Sequence, residues 1–244
     1  MKVTEKKFCA IQSSFIPWIG YFSMIKASNV FVLIDDVQYD KNGWRNRNRI
    51  KLLDVPIWVT VPILTSGRSN QLISDVEIDY STGWEKTLLG KLRESYKDTH
   101  FFSDINPIFV NCLEHHSKYL YELNFNILTE FMKVLQMTQT VIMSSTLRAS
   151  QEKNSRLIEY AEKIHCTQYI SGPSAKNYID EERFKESGLH LRWYEYNESL
   201  KYSQSNGDFL PKLSIVDLLM NVGPEEAIQF IDRINESWEQ KCKE

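Results

Sequence analysis

The sequence predicts an α/β fold, with a mainly parallel sheet flanked by helices, added antiparallel strands and a helical insert. Three observations carry this prediction. Short apolar runs alternate with amphipathic helical stretches at both ends of the chain, as in successive βαβ units. The run Val30–Ile34 breaks off at Asp35-Asp36, as a buried parallel strand does where its carboxyl end meets solvent. The middle, at about 84–137, repeats apolar residues every three or four positions and reads as an insert of helices. Of the 244 residues, 42% are hydrophobic and 12% aromatic, enough apolar area to offset chain entropy and exclude a disordered or low-complexity chain.

In chain order, residues 8–11 form a strand that ends in Gln12-Ser13-Ser14, and Pro17 opens a helix with Trp18, Tyr21, Phe22 and Ile25 at helical spacing. With the strand at 30–34 this makes a βαβ unit. Such crossovers are right-handed and open both loops on one sheet edge, where α/β proteins bind ligands. Residues 57–64 and 76–79 have β-rich or alternating patterns around the turn-forming 65–70, and read as a hairpin or a pair of added strands. Helices follow at about 84–96, 105–121 and 124–135. The α/β pattern then returns with a strand at 140–143 ending in Ser144-Ser145, a helix at 155–164, a strand at 168–170 ending in Ser171-Gly172, and a strand at 190–194. A helix at 214–221 and, after Gly223-Pro224, an amphipathic helix to Trp238 close the chain. There is no internal repeat and no linker rich in Pro, Gly or Ser, so residues 1–244 read as one compact domain.

Charge excludes several classes. Lys plus Arg number 29 against 32 Asp plus Glu, a net charge of -3, which steers nothing toward nucleic acid. Cys9, Cys112, Cys166 and Cys242 are far apart in sequence, which argues against a zinc knuckle or redox dithiol and fits a reduced, cytoplasmic setting. The apolar stretch after the basic first residues is too short for a signal-peptide core, and no apolar run approaches membrane-spanning length. Export and membrane insertion are not expected.

Polar residues gather most densely at 35–49. Asp35 and Asp36 could bind a metal or accept a proton, while Lys41, Arg45, Arg47 and Arg49 could grip phosphate or carboxylate. A charge-rich loop is most often a solvated turn, but its position directly after a buried strand favours function. As a strand, Arg-x-Arg-x-Arg would put three guanidinium groups on one face, in need of an anionic partner or open water. Small polar groups at Gln12-Ser13-Ser14, Ser144-Ser145 and Ser171-Gly172 mark other strand ends and let a ligand approach the backbone. The loop at 202–209 adds Tyr202 and Gln204. Ser214, Asp217 and Asn221 share one helical face, which caps a pocket or meets solvent. There is no Gly-x-Ser-x-Gly elbow and no glycine-rich phosphate loop, so hydrolase, Walker ATPase and dinucleotide readings fall. His115-His116 diverge on a helix, and Cys166 beside His165 reads as inert packing.

Gln12-x-x-Phe15-x-Pro17-Trp18-x-Gly20-Tyr21-Phe22, the Asp35-Asp36-Val37-Gln38 loop with Lys41, and Asn46-Arg47-Asn48 resemble the signatures of WbqC-like proteins. Ser144-Ser145, Tyr169-x-Ser171-Gly172, Asn177-Tyr178, Tyr202-x-Gln204, Phe209 and Leu213-Ser-Ile-x-Asp217-Leu-Leu-x-Asn221-x-Gly223 extend the resemblance through most of the chain. It departs from the pattern at Ile11 and Ser13, where His and Pro are expected to flank the glutamine, and at Ser199-Leu200, where His-Pro commonly stands. If either missing histidine is the family's catalytic base, this chain needs another base or has a different activity.

The resemblance implies a place in bacterial surface polysaccharide assembly, O-antigen included, and transfer of an aminoacyl group such as glycyl to an amino sugar. With the residues, it implies a cytoplasmic N-acyltransferase for a nucleotide-linked amino sugar, with no tightly bound cofactor or metal. The acyl donor would be a thioester, such as a phosphopantetheine-linked group on an acyl carrier protein. Asp36 or Asp35 would take the amine's proton, and the Ser171 and Gly172 amides would face the tetrahedral oxygen. Gln12, Trp18, Gln38, Lys41, Arg45, Asn46, Arg47, Asn48, Ser144, Tyr178, Tyr202, Gln204, Asp217 and Asn221 would bind substrate, with Arg45, Arg47 or Lys41 on the diphosphate. Two rivals are a metal-dependent glycosyltransferase using Asp35-Asp36 and a non-catalytic scaffold of a sugar-modifying complex.

Overall fold

The computed structural model describes residues 5–41 and 43–243. Five parallel strands form the main sheet: β1 (Lys7–Gln12), β2 (Val30–Ile34), β5 (Thr140–Met143), β6 (Gln168–Ser171) and β7 (His190–Trp193), in the order β5-β2-β1-β6-β7. The predicted parallel sheet flanked by helices is therefore present. β1 and β2 run in register from Phe8 opposite Val30 to Gln12 opposite Ile34. The chain steps outward from β1 through β2 to β5, then returns to the other side of β1 at β6. The direction reverses between β1 and β6, the point at which open α/β sheets hold ligands beyond the strand ends.

Alternation along the buried strands feeds two cores. Cys9, Phe31, Leu33 and Ile170 face a core shared with α1 (Ile19–Ala27) and the last helix, α8 (Ile215–Lys241). Phe8, Val32 and Tyr169 face the other side, against Leu157 and Tyr160 of α6 (Lys153–Lys163) and Phe184 of α7 (Glu181–Glu186). The side chain of Glu152 starts α6 by accepting the Asn154 and Ser155 amides at 3.0 and 2.8 Å. α8 kinks where expected: Gly223 takes φ 76°, and an added Cβ would lie 2.5 Å from the Phe101 ring, so this position requires glycine.

Two elements differ from the sequence reading. The hairpin pairs β3 (Arg47–Leu52) with β4 (Val55–Thr60), whereas 76–79 makes only the isolated bridges Ile63–Ile78 and Glu77–Tyr119. Arg47 to Leu52 is thus a strand, not part of a charged loop. Its Asn48 is buried and satisfied by backbone, which removes the cost that polarity usually imposes on such a strand. The helical insert comprises α2 (Trp84–Tyr96), α3 (Phe102–Glu114) and α4 (Leu120–Val134), between β4 and β5. α3 stops at Glu114 instead of running to 121, because His116 adopts φ 45° and turns the chain. The short helix α5 (Ser144–Leu147) follows β5 directly.

Candidate functional site

The carboxyl edge of the sheet brings Gln12, Asp35, Asp36, Ser144, Ser145, Ser171 and Gly172 to the ends of four neighbouring strands. Their hydrogen bonds give the two aspartates different roles. Asp35 is buried. Its Oδ1 accepts the Ser144 hydroxyl and the Ser145 amide, both at 2.9 Å, and its Oδ2 accepts the Ser145 hydroxyl at 2.8 Å. Its own amide donates to Ser144 Oγ at 3.1 Å. Asp36 is half-buried and, among the described residues, hydrogen-bonds only Ser144 Oγ. One hydroxyl proton cannot serve two carboxylate oxygens at once, so Asp36 is short of donors.

Tyr160 of α6 reaches the same cluster and is absent from the residues nominated by sequence. It is fully buried, and its hydroxyl has no hydrogen-bond partner among the described residues; Ser144 lies in its reach without closing a bond of ordinary geometry. Burial, helped by the nearby Asp36 and Asp35 charges, pushes this phenol up to about 12. On the β6 side, Ser171 Oγ lies 3.5 Å from Tyr169 Oη, and burial holds the Tyr169 phenol well above its ordinary value. Tyr178 is exposed, with the Lys153 ammonium 4.7 Å over its ring. Gly172 has φ -72°, and an added Cβ would meet only Met24 Sδ at 3.8 Å, so the space before it is open on the protein side.

Several nominated ligand-binding residues are committed to the fold. Arg45 Nη1 donates to the carbonyls of Gln12 and Ser13 at 3.1 and 3.2 Å and to Ser14 Oγ at 2.8 Å, and burial lowers its pKa. It pins the loop after β1 in place of holding a diphosphate. Asn46 donates to the Val61 carbonyl at 2.9 Å and accepts the Tyr39 hydroxyl at 2.9 Å. Asn48 donates to the carbonyls of Phe15 and Ile16. Both amides point inward and are used up there. Trp18 lies over Gly20, where a Cβ would come within 2.3 Å of the indole, and meets Tyr196 in a tilted ring contact with centroids 4.9 Å apart. Gln38, exposed, bonds Asn70, and Lys41 is exposed. Arg47 leaves the strand-end cluster for the hairpin face, with its guanidinium 4.7 Å over the Trp58 ring.

Tyr202, Gln204, Asp217 and Asn221 form a second, closed network. Asp217 is 0% exposed and accepts the Tyr96 hydroxyl at 2.8 Å, the Tyr202 hydroxyl at 2.6 Å and Gln204 Nε2 at 2.9 Å. Asn221 accepts the Ser205 amide at 2.7 Å and donates to the Asp217 carbonyl. Lys51, buried and unforeseen, bonds Gln204 Oε1 at 3.3 Å and the carbonyls of Asn206 and Asp208. The expected pocket wall is here a lock joining β3, α2, α8 and the 202–210 loop, buried at Asp217, Tyr96, Tyr202 and Lys51 and partly exposed at Gln204 and Asn221. Neither Lys51 nor Tyr160 could be singled out from sequence, since a lysine in an alternating strand and a tyrosine on an apolar helix stripe look ordinary.

Among the described residues, two of the open cavities lie elsewhere. One of about 800 Å³ lies between α3 and α4 and includes Cys112, His115 and Glu122, and one of about 810 Å³ includes Phe101, Leu135 and Pro224. Neither is lined by a nominated residue. Cys9, Cys112 and Cys166 are buried, and burial pushes the first two thiols up to about 12 and about 11. Among the described residues, no group of three or more His, Cys, Asp or Glu is placed to hold a metal ion, and no helix is long and apolar enough to cross a membrane.

The fold is that of a doubly wound α/β protein whose parallel sheet reverses between β1 and β6, with a serine-bridged carboxylate pair at the ends of the neighbouring β2 and β5. The chain belongs to the WbqC-like protein family, whose model matches residues 12–229. It is 37% identical over 224 residues to a protein of Mycobacterium tuberculosis (strain ATCC 25618 / H37Rv) named Uncharacterized protein Rv1507c; the match covers 90% of this chain and 95% of the relative. No solved structure matches the chain.

Proposed function

We propose that this protein is a cytoplasmic N-acyltransferase of bacterial surface polysaccharide assembly, moving an aminoacyl group such as glycyl from a thioester to the amine of a nucleotide-linked amino sugar. Membership of the WbqC-like family supports the sugar context. The observation that carries the chemistry is Asp36, a half-buried carboxylate at the strand edge with a single shared donor, next to the unpartnered Tyr160 hydroxyl. The amine nitrogen adds to the thioester carbonyl carbon, Asp36 takes the amine proton, and the tetrahedral oxygen faces backbone donors around Ser171-Gly172. Collapse breaks the C–S bond, and the departing sulfur leaves as a thiol once it has received a proton. Asp35, with both oxygens occupied by Ser144 and Ser145, positions the loop and leaves the proton to Asp36. The thiol partner is a phosphopantetheine arm, carried on an acyl carrier protein.

Incubating the purified protein with a glycyl-phosphopantetheine thioester and a uridine-diphosphate amino sugar is expected to give a sugar nucleotide heavier by one glycyl group, by mass spectrometry. Turnover should survive a chelator. Activity abolished by the chelator and restored by a divalent cation would favour the glycosyltransferase reading instead.

A further inference from the structure

The outward face of the β3–β4 hairpin carries a feature that the proposed chemistry leaves unused. Arg49 stands opposite Trp58 in the antiparallel register, with Arg47 two pairs along on the same face, opposite Thr60. Trp44 lies against Trp58, with centroids 5.2 Å apart, and each indole is 42% exposed. The Arg49 guanidinium lies 5.7 Å over Trp44 and 6.0 Å over Trp58, and Arg47 covers Trp58 from 4.7 Å. Arg49 has no hydrogen-bond acceptor and no ion pair for its side chain among the described residues, and its buried Nε is unsatisfied. At the other end of the same face, Lys51 is roofed by the 206–208 carbonyls, so the chain covers one half and leaves the indole–guanidinium half open. That open half adjoins the strand edge: the carbonyls of Trp44 and Arg45 accept the Phe15 amide, and Arg45 itself reaches Gln12.

From this arrangement we infer that Trp44, Trp58, Arg47 and Arg49 bind the nucleoside diphosphate part of a nucleotide ligand, its base stacked on an indole and its phosphates on the guanidinium edges. The inference rests on the reading of the acceptor as a nucleotide-linked sugar. Exposed indoles favour a flat π-face or a sugar ring, and the Arg49 guanidinium, with no acceptor among the described residues, favours an anion; a nucleoside diphosphate satisfies both in one small molecule, whereas a neutral glycan leaves Arg49 idle. A nucleic-acid strand offers the same chemistry but meets a chain of net charge -3.

The test is calorimetric titration of the full chain with uridine diphosphate, uridine, inorganic pyrophosphate and a thymidine oligonucleotide, for the natural protein and for Arg49→Ala and Trp58→Ala, each checked for an unchanged circular dichroism melt. A Trp58→Phe variant stands in if Trp58→Ala fails to fold. Uridine diphosphate is expected to bind, with Arg49→Ala weakening it and pyrophosphate about 10- to 100-fold. The Trp58 change should weaken uridine and uridine diphosphate and spare pyrophosphate. Equal affinity for uridine diphosphate in all variants, no binding of it by the natural protein, or tighter binding of the oligonucleotide would each overturn the platform. Acyl transfer that persists with unaltered nucleotide affinity in the variants removes the platform and leaves the proposed reaction standing. Platform-dependent binding without any acyl transfer does the reverse.

Discussion

Asp35 and Asp36 are neighbours in sequence with opposite surroundings, and the difference gives a testable asymmetry. Asp35 is buried and accepts three hydrogen bonds, so Asp35→Asn turns an amide NH₂ toward donors and should cost about 1–3 kcal/mol of stability in chemical denaturation. Asp36 is half-buried with one shared donor, so Asp36→Asn should leave the melt within a degree or two and lower kcat for acyl transfer by roughly 10²–10⁴. A Tm drop with undiminished kcat for Asp36→Asn would exchange the two roles. The cysteines give a second residue-scale expectation. Cys9, Cys112 and Cys166 are buried with raised thiol pKa values, and Cys242 is exposed. A thiol reagent at neutral pH should modify Cys242 alone in the native protein and all four after denaturation, as counted by mass spectrometry.

Between elements, the network around Asp217 does the joining. Tyr96 comes from α2, Lys51 from β3, Tyr202 and Gln204 from the loop before α8, and Asp217 from the first turn of α8. Desolvation raises the Asp217 pKa, while the hydrogen bonds from Tyr202 and Tyr96 and the Lys51 charge pull it down, so the carboxyl depends on every partner. Asp217→Ala should lose about 3 kcal/mol or more, with kcat per folded molecule unchanged, because it leaves the Lys51 charge and three donors buried without the carboxylate. Normal stability with lost turnover would return Asp217 to the ligand site. The hairpin belongs to this scale too. Asparagine alternating with arginine reads as loop by propensity, yet Asn48 fills the inward face by bonding the Phe15 and Ile16 carbonyls, a partner set found only in the folded chain.

Across the molecule, burial of tyrosines links stability to alkali. It pushes Tyr39, Tyr80, Tyr160 and Tyr196 up to about 12 and holds Tyr21, Tyr96, Tyr169, Tyr194 and Tyr202 well above the ordinary value. The folded state keeps these protons where the unfolded chain, with tyrosines near pH 10, has released them. The contribution is therefore fully present below about pH 10 and is lost as pH rises through the raised values. Stability should fall steeply above about pH 10, and the tyrosinate absorbance of these nine residues should appear in one cooperative step with loss of ellipticity, after exposed tyrosines such as Tyr178. A gradual, non-cooperative titration centred near pH 10 would show that these hydroxyls are open to solvent.

The parallel sheet, its helical flanks and the polar strand ends at Gln12, Asp35-Asp36, Ser144 and Ser171 were legible in the sequence, because each is written locally: an apolar run, a 3.6-residue stripe, an abrupt change to small or charged residues. The kink at Gly223-Pro224 was legible for the same reason. Partners distant in sequence were not. Arg45 reaching back to Gln12, Tyr160 turned toward Asp36, and Lys51 buried under the 206–208 carbonyls depend on which elements the fold lays side by side. The same arginine or lysine is a ligand clamp in open water and a structural tie when carbonyls crowd around it, and the tertiary packing decides between them because only packing sets desolvation and the supply of acceptors.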